Sequence, residues 1–218
     1  MRFGVIGTGM VGQAIGGKLV RLGHEVLMGA RQAGNPKATA WAAATGPAAG
    51  QGDFADAAGF GEIVVNATAG AASLEALAAA GAANLAGKVL IDIANPIDPT
   101  SGMPPTLGVC NTDSLGEQIQ RAFPDARVVK TLNTMSADVM VEPGLVPGGH
   151  TVFVCGNDPA AKAQVVELLH SFGWPATDIV DLGDIAATRG TEMYLALWLR
   201  LWGATGTGHL NVKVVTAT

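Results

Sequence analysis

Three glycines near the start of the chain have the spacing of a dinucleotide-binding turn. Gly7, Gly9 and Gly12 form a G-x-G-x-x-G motif directly after the apolar residues 3–6. Gly7 permits a tight turn from strand to helix, Gly9 leaves the backbone open to a pyrophosphate, and Gly12 lets the helix pack closely on the strand. The phosphates would lie at the positive N-terminal end of that helix. The alternative is a purely structural glycine turn.

The residues on both sides of the glycines favour the binding turn. Residues 10–22 are compatible with a helix, Gly23 ends it, and residues 25–28 predict a second strand. The motif therefore lies in a β-α-β unit, which is the context that dinucleotide binding requires. The cofactor-binding residues predicted from this turn are Gly7, Thr8, Gly9, Met10, Val11 and Gly12.

The loop after the second strand indicates which dinucleotide is bound. NAD sites usually have an acidic residue about 20 positions after the glycines, which binds the adenosine ribose 2′-hydroxyl. Here the next carboxylate after Glu25 is Asp53, and the loop between them contains Arg31 and Lys37. A guanidinium pairs well with the 2′-phosphate of NADP, which a carboxylate would repel. The sequence therefore predicts NADP as cofactor, although Lys37 can also be read as an ordinary solvated cation.

Small and amide side chains follow three further predicted strands. Ligands of doubly wound folds bind beyond the carboxyl ends of the strands, so we expect these segments to surround the nicotinamide. The alternative is that Asn and Thr cap helices or turn the chain. The residues are Asn66, Ala67 and Thr68, then Asn95 and Pro96, then Asn133 and Thr134.

The sequence has no recognisable acid/base or metal centre. Tyr194 is the only tyrosine and no lysine follows it four residues later, so the Tyr-x-x-x-Lys pair of short-chain dehydrogenases is missing. G-x-S-x-G and H-E-x-x-H motifs are also missing, and no metal is predicted. Asn133 and His209 are the candidates for a catalytic residue. We expect Glu192 to be a first-turn carboxylate stabilised by the dipole of its own helix.

Short apolar runs alternate with helical stretches along the rest of the chain. This alternation predicts an α/β fold, namely a doubly wound, mainly parallel Rossmann sheet with a small C-terminal helical segment. We expect an NADP-binding Rossmann domain at residues 1–135 and a smaller C-terminal part at 136–218, which completes the sheet and the substrate cleft. Residues 43–52 are read as a loose connection. The predicted strands are residues 62–66, 88–93, 126–130 and 151–155, and a helix is predicted at 73–80.

Composition and charge limit the partners. The 218 residues are 49% hydrophobic and 14% charged, with a net charge of −5 and no basic stripe, which argues against nucleic-acid binding. The apolar stretch at 193–201 contains Arg200 and is shorter than the about 20 residues that span a bilayer. We expect neither membrane contact nor a signal peptide before the first strand. A helix at about 191–202 that is apolar nearly all round predicts a homodimer.

Cys110 and Cys155 are the only cysteines and have no C-x-x-C spacing. Neither a zinc site nor a thioredoxin-like pair is therefore indicated. A reduced, cytoplasmic setting is the simplest expectation.

The sequence resembles the NADPH-dependent coenzyme F420 reductases, also called F420-dependent NADP oxidoreductases, from end to end. The most discriminating match is the C-terminal segment 206–213, since the first glycine turn is common to Rossmann proteins. The matching segments are residues 7–12, 22–26 with 29–31, 155–158 and 206–213.

The resemblance implies hydride transfer between NADP(H) and the deazaflavin F420, a small-molecule co-substrate. It implies that residues 8–11 bind the pyrophosphate, that Ala30, Arg31 and a nearby lysine bind the 2′-phosphate, and that Ala137 lies beside the nicotinamide. The deazaflavin would lie in a cleft near Leu210. Gly206 and Gly208 would let the backbone approach a planar ligand closely. The predicted substrate-cleft residues are thus Asn133, Thr134, Gly206, Gly208 and Leu210.

The chain departs from the family pattern at three places. Ala30 replaces a hydroxyl residue, Asn133 stands where a histidine can occur beside the deazaflavin, and the tryptophan-rich residues 197–202 differ in bulk. Two alternatives therefore remain open. One is an NADPH-dependent reductase of another acceptor, such as a flavin, an imine or a small ketone. The other is an NADP-binding sensor without turnover. Direct transfer between stacked rings agrees best with the missing acid/base pair, because it depends mainly on positioning.

Overall fold

An eight-stranded sheet forms the centre of the molecule, with helices on both faces. The computed structural model describes residues 1–217, so residue 218 of the predicted C-terminal part lies outside the described residues. The strands are β1 (Arg2–Ile6), β2 (Glu25–Ala30), β3 (Ala49–Asp53), β4 (Ile63–Asn66), β5 (Val89–Asp92), β6 (Ile97–Asp98), β7 (Thr106–Leu107), β8 (Arg127–Thr131), β9 (Val152–Gly156) and β10 (Ile179–Asp181).

The helices connect these strands across the two faces. They are α1 (Met10–Arg21), α2 (Pro36–Thr45), α3 (Phe54–Phe60), α4 (Gly70–Ala80), α5 (Ala82–Leu85), α6 (Leu115–Ala122), α7 (Ala137–Val141), α8 (Pro159–Phe172) and α9 (Thr188–Thr205). Short 3₁₀ turns are found at Pro99–Ser101, Pro143–Leu145, Ala176–Asp178 and Ile185–Ala187.

The strand order of the sheet is β10-β9-β8-β5-β4-β1-β2-β3. Six neighbouring strands of this sheet, β8-β5-β4-β1-β2-β3, are parallel. They follow the doubly wound order, in which the strands before and after the crossover are added on opposite sides of the boundary between β1 and β4. β9 is antiparallel to β8, and β10 is parallel to β9. The predicted mainly parallel Rossmann sheet is therefore confirmed, with β9 and β10 as its reversed extension.

Successive residues of the central strands enter two separate cores. Val5 belongs to the core that includes residues of α1, α2, α7 and α8, whereas Ile6 belongs to the core that includes residues of α3, α4 and α6. The same alternation separates Val65 from Val64 and Ile91 from Leu90. Because both sides of each strand are buried, its sequence is a continuous apolar run rather than an alternating one.

The prediction of a loose connection at residues 43–52 was wrong. α2 extends to Thr45, and the edge strand β3 begins at Ala49. Strand β3 has the sequence Ala-Gly-Gln-Gly-Asp, which lacks β-branched and aromatic residues. It becomes a strand because it pairs with β2 over five residue pairs from Val26↔Ala49 to Ala30↔Asp53. Tertiary pairing thus overrides the weak local preference.

A small antiparallel hairpin, formed by β6 and β7, extends from the sheet between β5 and α6. The hairpin was not predicted, because two-residue strands leave no periodicity in the sequence. Within residues 1–217, no helix combines the length and the apolar character that crossing a membrane would need.

Helix α9 leaves apolar side chains on the surface, and this exposure generates the prediction of a homodimer. Met193, Leu197 and Trp202 are 38%, 53% and 43% exposed. Replacement of Leu197 by Glu would place a charge within that face, so we expect the variant to dissociate at concentrations at which the parent chain is dimeric. Light scattering on both proteins measures this. A parent chain with the mass of one copy at micromolar concentration would contradict the prediction.

Candidate functional site

The glycine turn between β1 and α1 has the geometry of a ligand-binding turn. Gly7 has a φ of +121°, and a Cβ atom there would lie 2.5 Å from the carbonyl oxygen of Ala67. A Cβ atom on Gly12 would collide with the carbonyl of Gly7, so α1 can pack this closely on β1 only with glycine. Gly9 differs, since nothing lies within 4 Å of its Cβ position. The space beside Gly9 is free for a ligand.

A cleft of about 330 Å³, here called the glycine-turn cleft, opens beside this turn. It is lined by the turn and by the exposed Arg31, which directly follows β2. Asn35 also lines it and caps α2, because its Oδ1 accepts hydrogen bonds from the N–H groups of Lys37 and Ala38. The lining residues are Gly7, Thr8, Gly9, Gly29, Ala30, Arg31, Asn35, Phe54, Ala67, Thr68, Ala69, Ala72, Glu75, Ala76 and Ala79.

A second cleft of about 410 Å³, here called the methionine cleft, continues from the first. The two clefts share Ala67, Thr68 and Ala69. None of the described residues that line the methionine cleft has an ionisable side chain. The lining residues are Val11, Ala67, Thr68, Ala69, Gly70, Ala71, Ile93, Ala94, Asn95, Ile97, Pro99, Met135 and Met140.

The structure thus brings most of the predicted cofactor residues together along two connected clefts. Six of them lie elsewhere. Gly12 is buried in α1, where it packs on β1 and lines neither cleft. Met10 is 83% exposed at the start of α1, Lys37 is exposed in the first turn of α2, and Pro96 lines a neighbouring cleft beside α4 and α6. Ala137 is half-buried at the start of α7, outside both clefts. Asn66 is fully buried below Thr68, whose hydroxyl donates to it over 2.8 Å.

Asn133 joins the wall of the methionine cleft to α9. Its Nδ2 donates to Oδ1 of Asn95 at 3.0 Å and to the carbonyl of Thr191 at 3.1 Å. Nδ2 of Asn95 donates in return to the carbonyl of Asn133 at 2.7 Å. Asn133 and Thr134 are each 2% exposed, and neither lines the methionine cleft. Asn133 therefore orients Asn95 from behind the wall.

A row of buried polar groups crosses the carboxyl ends of three neighbouring strands. Asn66, Asp92 and Lys130 end or nearly end β4, β5 and β8 and lie side by side in register. Asn66 Nδ2 donates to Asp92 Oδ1 at 2.8 Å, and Lys130 Nζ donates to Asp92 Oδ2 at 2.8 Å. Lys130 Nζ also donates to Glu192 Oε1 at 2.8 Å. The chain of contacts runs from Thr68, at the cleft wall, to α9.

The expectation that Glu192 is stabilised by the dipole of its own helix was wrong. Glu192 lies in the second turn of α9, and its carboxylate accepts hydrogen bonds from the N–H groups of Leu115 and Gly116 at 2.8 and 3.0 Å. These N–H groups form the N-terminus of α6, where a negative charge is favourable. The contact between Glu192 and α6 could not be predicted from local sequence patterns, because Leu115 and Glu192 are 77 positions apart.

Lys130 is charged although it is fully buried. Burial acts to lower the pKa of Lys130, but the attraction of Asp92 and Glu192 outweighs it, so the pKa is raised above its ordinary value. Two carboxylates therefore hold one ammonium group within the core.

The C-terminal segment passes Ser136 and then contacts the residues that precede β9. Gly206 ends α9 with a φ of +69° and lines a cleft with the hairpin residues Met103 and Pro104. A Cβ atom on Gly208 would lie 3.8 Å from Ser136 and 4.0 Å from Trp198, whereas Leu210 is half-buried. The segment then forms a hydrogen bond just before β9, where the N–H of Thr151 donates to the carbonyl of Val212 at 2.7 Å.

His209 is at the surface of this segment. Its Nε2 lies 3.5 Å from Oδ2 of Asp138, and the two side chains are 48% and 70% exposed. Asp138 lies 71 positions earlier in the sequence, so no local pattern reveals this contact. An exposed histidine at this distance from a carboxylate is weakly paired.

Several residues of the two clefts were not anticipated. Phe54 and Glu75 reach the glycine-turn cleft from α3 and α4, while Met135 and Met140 reach the methionine cleft from the segment after β8. No local pattern marks these residues, because only the strand order brings their elements beside the glycine turn. Met135 lies only four residues after the end of β8, and this position was the one signal in the sequence.

The buried charges generate a prediction about stability. Replacement of Lys130 by Met leaves two buried carboxylates without their cation, so we expect the free energy of unfolding to fall by about 3–5 kcal/mol. Denaturant unfolding followed by circular dichroism measures the loss. Lys162→Met is the matched control, because Lys162 pairs with Asp181, which is 54% exposed.

We expect the control to lose about 1 kcal/mol or less. Equal losses in the two variants would contradict a special contribution from Lys130.

Comparison with known proteins identifies relatives of this site. Residues 2–96 match the family model described as NADP oxidoreductase, coenzyme F420-dependent. A crystal structure from Arthrobacter sp. FB24, provisionally named an F420-dependent NADP reductase, is 55% identical, with a TM-score of 0.92. The alignment covers 98% of this chain and 99% of that one.

Two further proteins are similar at lower identity. Metalloreductase STEAP3 of Rattus norvegicus is 29% identical over 200 residues, which are 92% of this chain and 37% of that protein. The chain thus spans little more than a third of that relative. An imine reductase of Streptomyces aurantiacus is 19% identical, has a TM-score of 0.65 and shares the fold, over 94% of this chain and 63% of that one.

The family match includes the glycine turn, Arg31 and the residues of the methionine cleft up to Asn95. The Arthrobacter structure extends the similarity over nearly all of the chain. The chain therefore belongs to the F420-dependent NADP oxidoreductase family and is an NADP-dependent oxidoreductase.

Proposed function

We propose that this enzyme transfers hydride between NADP(H) and a deazaflavin of the coenzyme F420 type. The observation that supports this acceptor best is the chemistry of the methionine cleft, whose described lining has no ionisable side chain. Reduction of a ketone or imine benefits from a proton donor beside the reacting atom. Transfer to a ring carbon of a deazaflavin needs mainly a close, aligned pair of rings.

The residues of the glycine-turn cleft fit the phosphates of NADP. Gly9 precedes α1 with open space beside it, no side chain caps this helix, and its first turn has no acidic residue. The free N–H groups of α1 are therefore available to a pyrophosphate. Arg31 would bind the 2′-phosphate, with Ala30 beside it and Lys37 in the first turn of α2. Glu75, which lines the same cleft, would accept a hydrogen bond from the adenine amino group.

We propose the following roles for the residues of the methionine cleft. NADPH, when bound, supplies the hydride from its nicotinamide ring. Ala67, Thr68 and Asn95 form the wall against which that ring would lie, and Met135 and Met140 exclude water from it. Asn133 is a positioning residue, because it fixes the side chain of Asn95 from behind.

The acceptor would enter between the methionine cleft and the segment 206–213. Within the described chain, four buried polar atoms without a hydrogen-bond partner lie in the loop between β8 and α7 and on α9. They are Thr134 Oγ1, Ser136 Oγ, Tyr194 OH and Trp198 Nε1. Unpaired buried donors are costly, and a ligand with carbonyl groups would satisfy them. Gly208, close to Ser136 and Trp198, leaves space for a flat ring.

We also propose the division of roles along the chain and its setting. Residues 1–135 would bind the dinucleotide, and residues 136–218 would complete the sheet and the substrate cleft. The enzyme would act as a homodimer in the cytoplasm. A reducing compartment agrees with two free thiols, of which Cys110 is exposed and Cys155 is buried.

The choice of cofactor is tested by reversing the charge at Arg31. We expect Arg31→Glu to weaken NADPH binding by about 1.5–3 kcal/mol, because a charge-assisted hydrogen bond to the 2′-phosphate is replaced by repulsion. NADH has no 2′-phosphate, so its dissociation constant should change little. Titration calorimetry measures both constants.

Gln32→Glu is the matched control, since Gln32 is exposed in the same loop but does not line the cleft. We expect it to change NADPH affinity by about threefold or less. Equal dissociation constants for NADPH and NADH in the parent enzyme would refute the assignment of Arg31.

The acceptor is tested by rapid mixing of the NADPH complex with F420. We expect the deazaflavin absorbance to disappear in a single turnover, at a rate at least about tenfold above that with a flavin, an imine or a small ketone. Gly208→Val should abolish the reaction with F420 and preserve NADPH affinity, because its methyl groups fill the space beside Ser136 and Trp198. No absorbance change with F420, together with turnover of another acceptor, would replace the deazaflavin by that acceptor.

His209→Ala distinguishes the two kinds of transfer in the same assay. For direct transfer to a deazaflavin we expect only a small change in rate, since His209 is exposed and weakly paired. A loss of about 100-fold or more would identify His209 as a general acid and favour a ketone or imine substrate.

A further inference from the structure

A cluster of three buried charged groups lies directly behind the wall of the methionine cleft. Asp92, Lys130 and Glu192 are each 1% exposed or less. We propose that this cluster, called the buried triad, stabilises the positively charged, oxidised nicotinamide relative to the neutral, reduced ring. The proposal rests on the cofactor placement proposed above and adds to it a device that adjusts the redox state of the bound cofactor.

The hydrogen-bond partners of the triad require two carboxylates and one ammonium group. Asp92 accepts from Asn66, from Lys130 and from the N–H of Ala94. Glu192 accepts from Lys130 and from the N–H groups at the start of α6. Every one of these partners is a donor, so neither carboxyl group has an acceptor for a proton of its own. The triad therefore has a net charge of −1.

The triad is in direct contact with the backbone of the cleft wall. Asp92 Oδ1 accepts from the N–H of Ala94 at 3.2 Å, and Lys130 Nζ donates to the carbonyl of Ala94 at 2.5 Å. Ala94 lines the methionine cleft between Ile93 and Asn95. The charges are thus a single residue behind the surface against which the nicotinamide would lie.

The sign of the field follows from the surroundings of the triad. The partial positive charge at the N-terminus of α6 offsets part of the charge on Glu192, but an N-terminal dipole is worth about half an elementary charge, so the sum stays negative. None of the described residues that line the methionine cleft is ionisable, so the lining itself adds no opposing charge. Oxidised nicotinamide is a cation and the reduced ring is neutral, so the field acts on the oxidised form.

The consequence is a shift in binding that can be measured without turnover. NADP⁺ should bind more tightly, relative to NADPH, than it would beside a neutral wall. The same interaction favours hydride donation, because positive charge develops on the ring as the hydride leaves.

The test compares the ratio of the dissociation constants of NADP⁺ and NADPH among variants of the full chain. Glu192→Gln and Asp92→Asn each reduce the net charge of the triad to zero. The first removes a carboxylate from α9 and the second removes one from β5. We expect each to raise the ratio by about fivefold or more, and in the same direction. Lys130→Arg keeps the charge but alters the packing, so its ratio should remain close to that of the parent.

Binding of 2′-phospho-ADP-ribose, which lacks the nicotinamide, is the internal control and should be equal in all variants. The proposal would be overturned if the ratio of the NADP⁺ and NADPH dissociation constants were unchanged in the two neutral variants, or if it shifted equally in Lys130→Arg. Either result would leave the proposed cofactor site intact. If Asp92→Asn does not fold, the comparison of this ratio between Glu192→Gln and Lys130→Arg tests the proposal. If neither NADP⁺ nor 2′-phospho-ADP-ribose binds the parent chain, the cofactor placement itself fails.

Discussion

The contact of Lys130 with Asp92 and Glu192 connects the three parts of the molecule that form the candidate site. Asp92 ends the strand that leads into the cleft wall, Lys130 belongs to the neighbouring strand, and Glu192 comes from α9. Glu192 also receives the N-terminus of α6. One ammonium group thus fixes how the two helices lie against the carboxyl edge of the sheet. The cleft wall, the helix that follows it and the C-terminal segment after α9 take their positions from this contact.

A second constraint acts at the opposite end of the site, where backbone approaches backbone. Gly7, Gly12 and the carbonyl of Ala67 lie too close together for any Cβ atom. The close approach brings the start of α1 beside the ends of β1 and β4, where the strand order reverses. Free N–H groups and small side chains are therefore concentrated at one point of the sheet edge, which is suited to a phosphate ligand.

The sequence predicts the parts of the fold that local patterns determine. Strands buried on both faces are continuous apolar runs, and the glycine turn follows from its own spacing, so both could be predicted. Strand β3 could not, because its pairing with β2 determines it. The same holds in the candidate site, where Arg31 was found from its loop but Met135, Met140 and Glu75 required the strand order. Glu192 was noticed as a carboxylate, and its true partners lie 62 to 77 positions away.

The position of the buried triad argues for a role beyond stability. A buried ion pair loses so much solvation that apolar residues of similar volume often stabilise a fold equally well or better. Elsewhere in these strands the chain uses that option, since Leu90, Ile91, Val128 and Val129 are apolar and buried. Among the buried residues of β5 and β8, only Asp92 and Lys130 are charged, and both lie at the carboxyl ends of these strands, next to the methionine cleft. The buried charges, which cost solvation free energy, thus lie beside the proposed nicotinamide position. The electrostatic field that they create there explains this placement most simply.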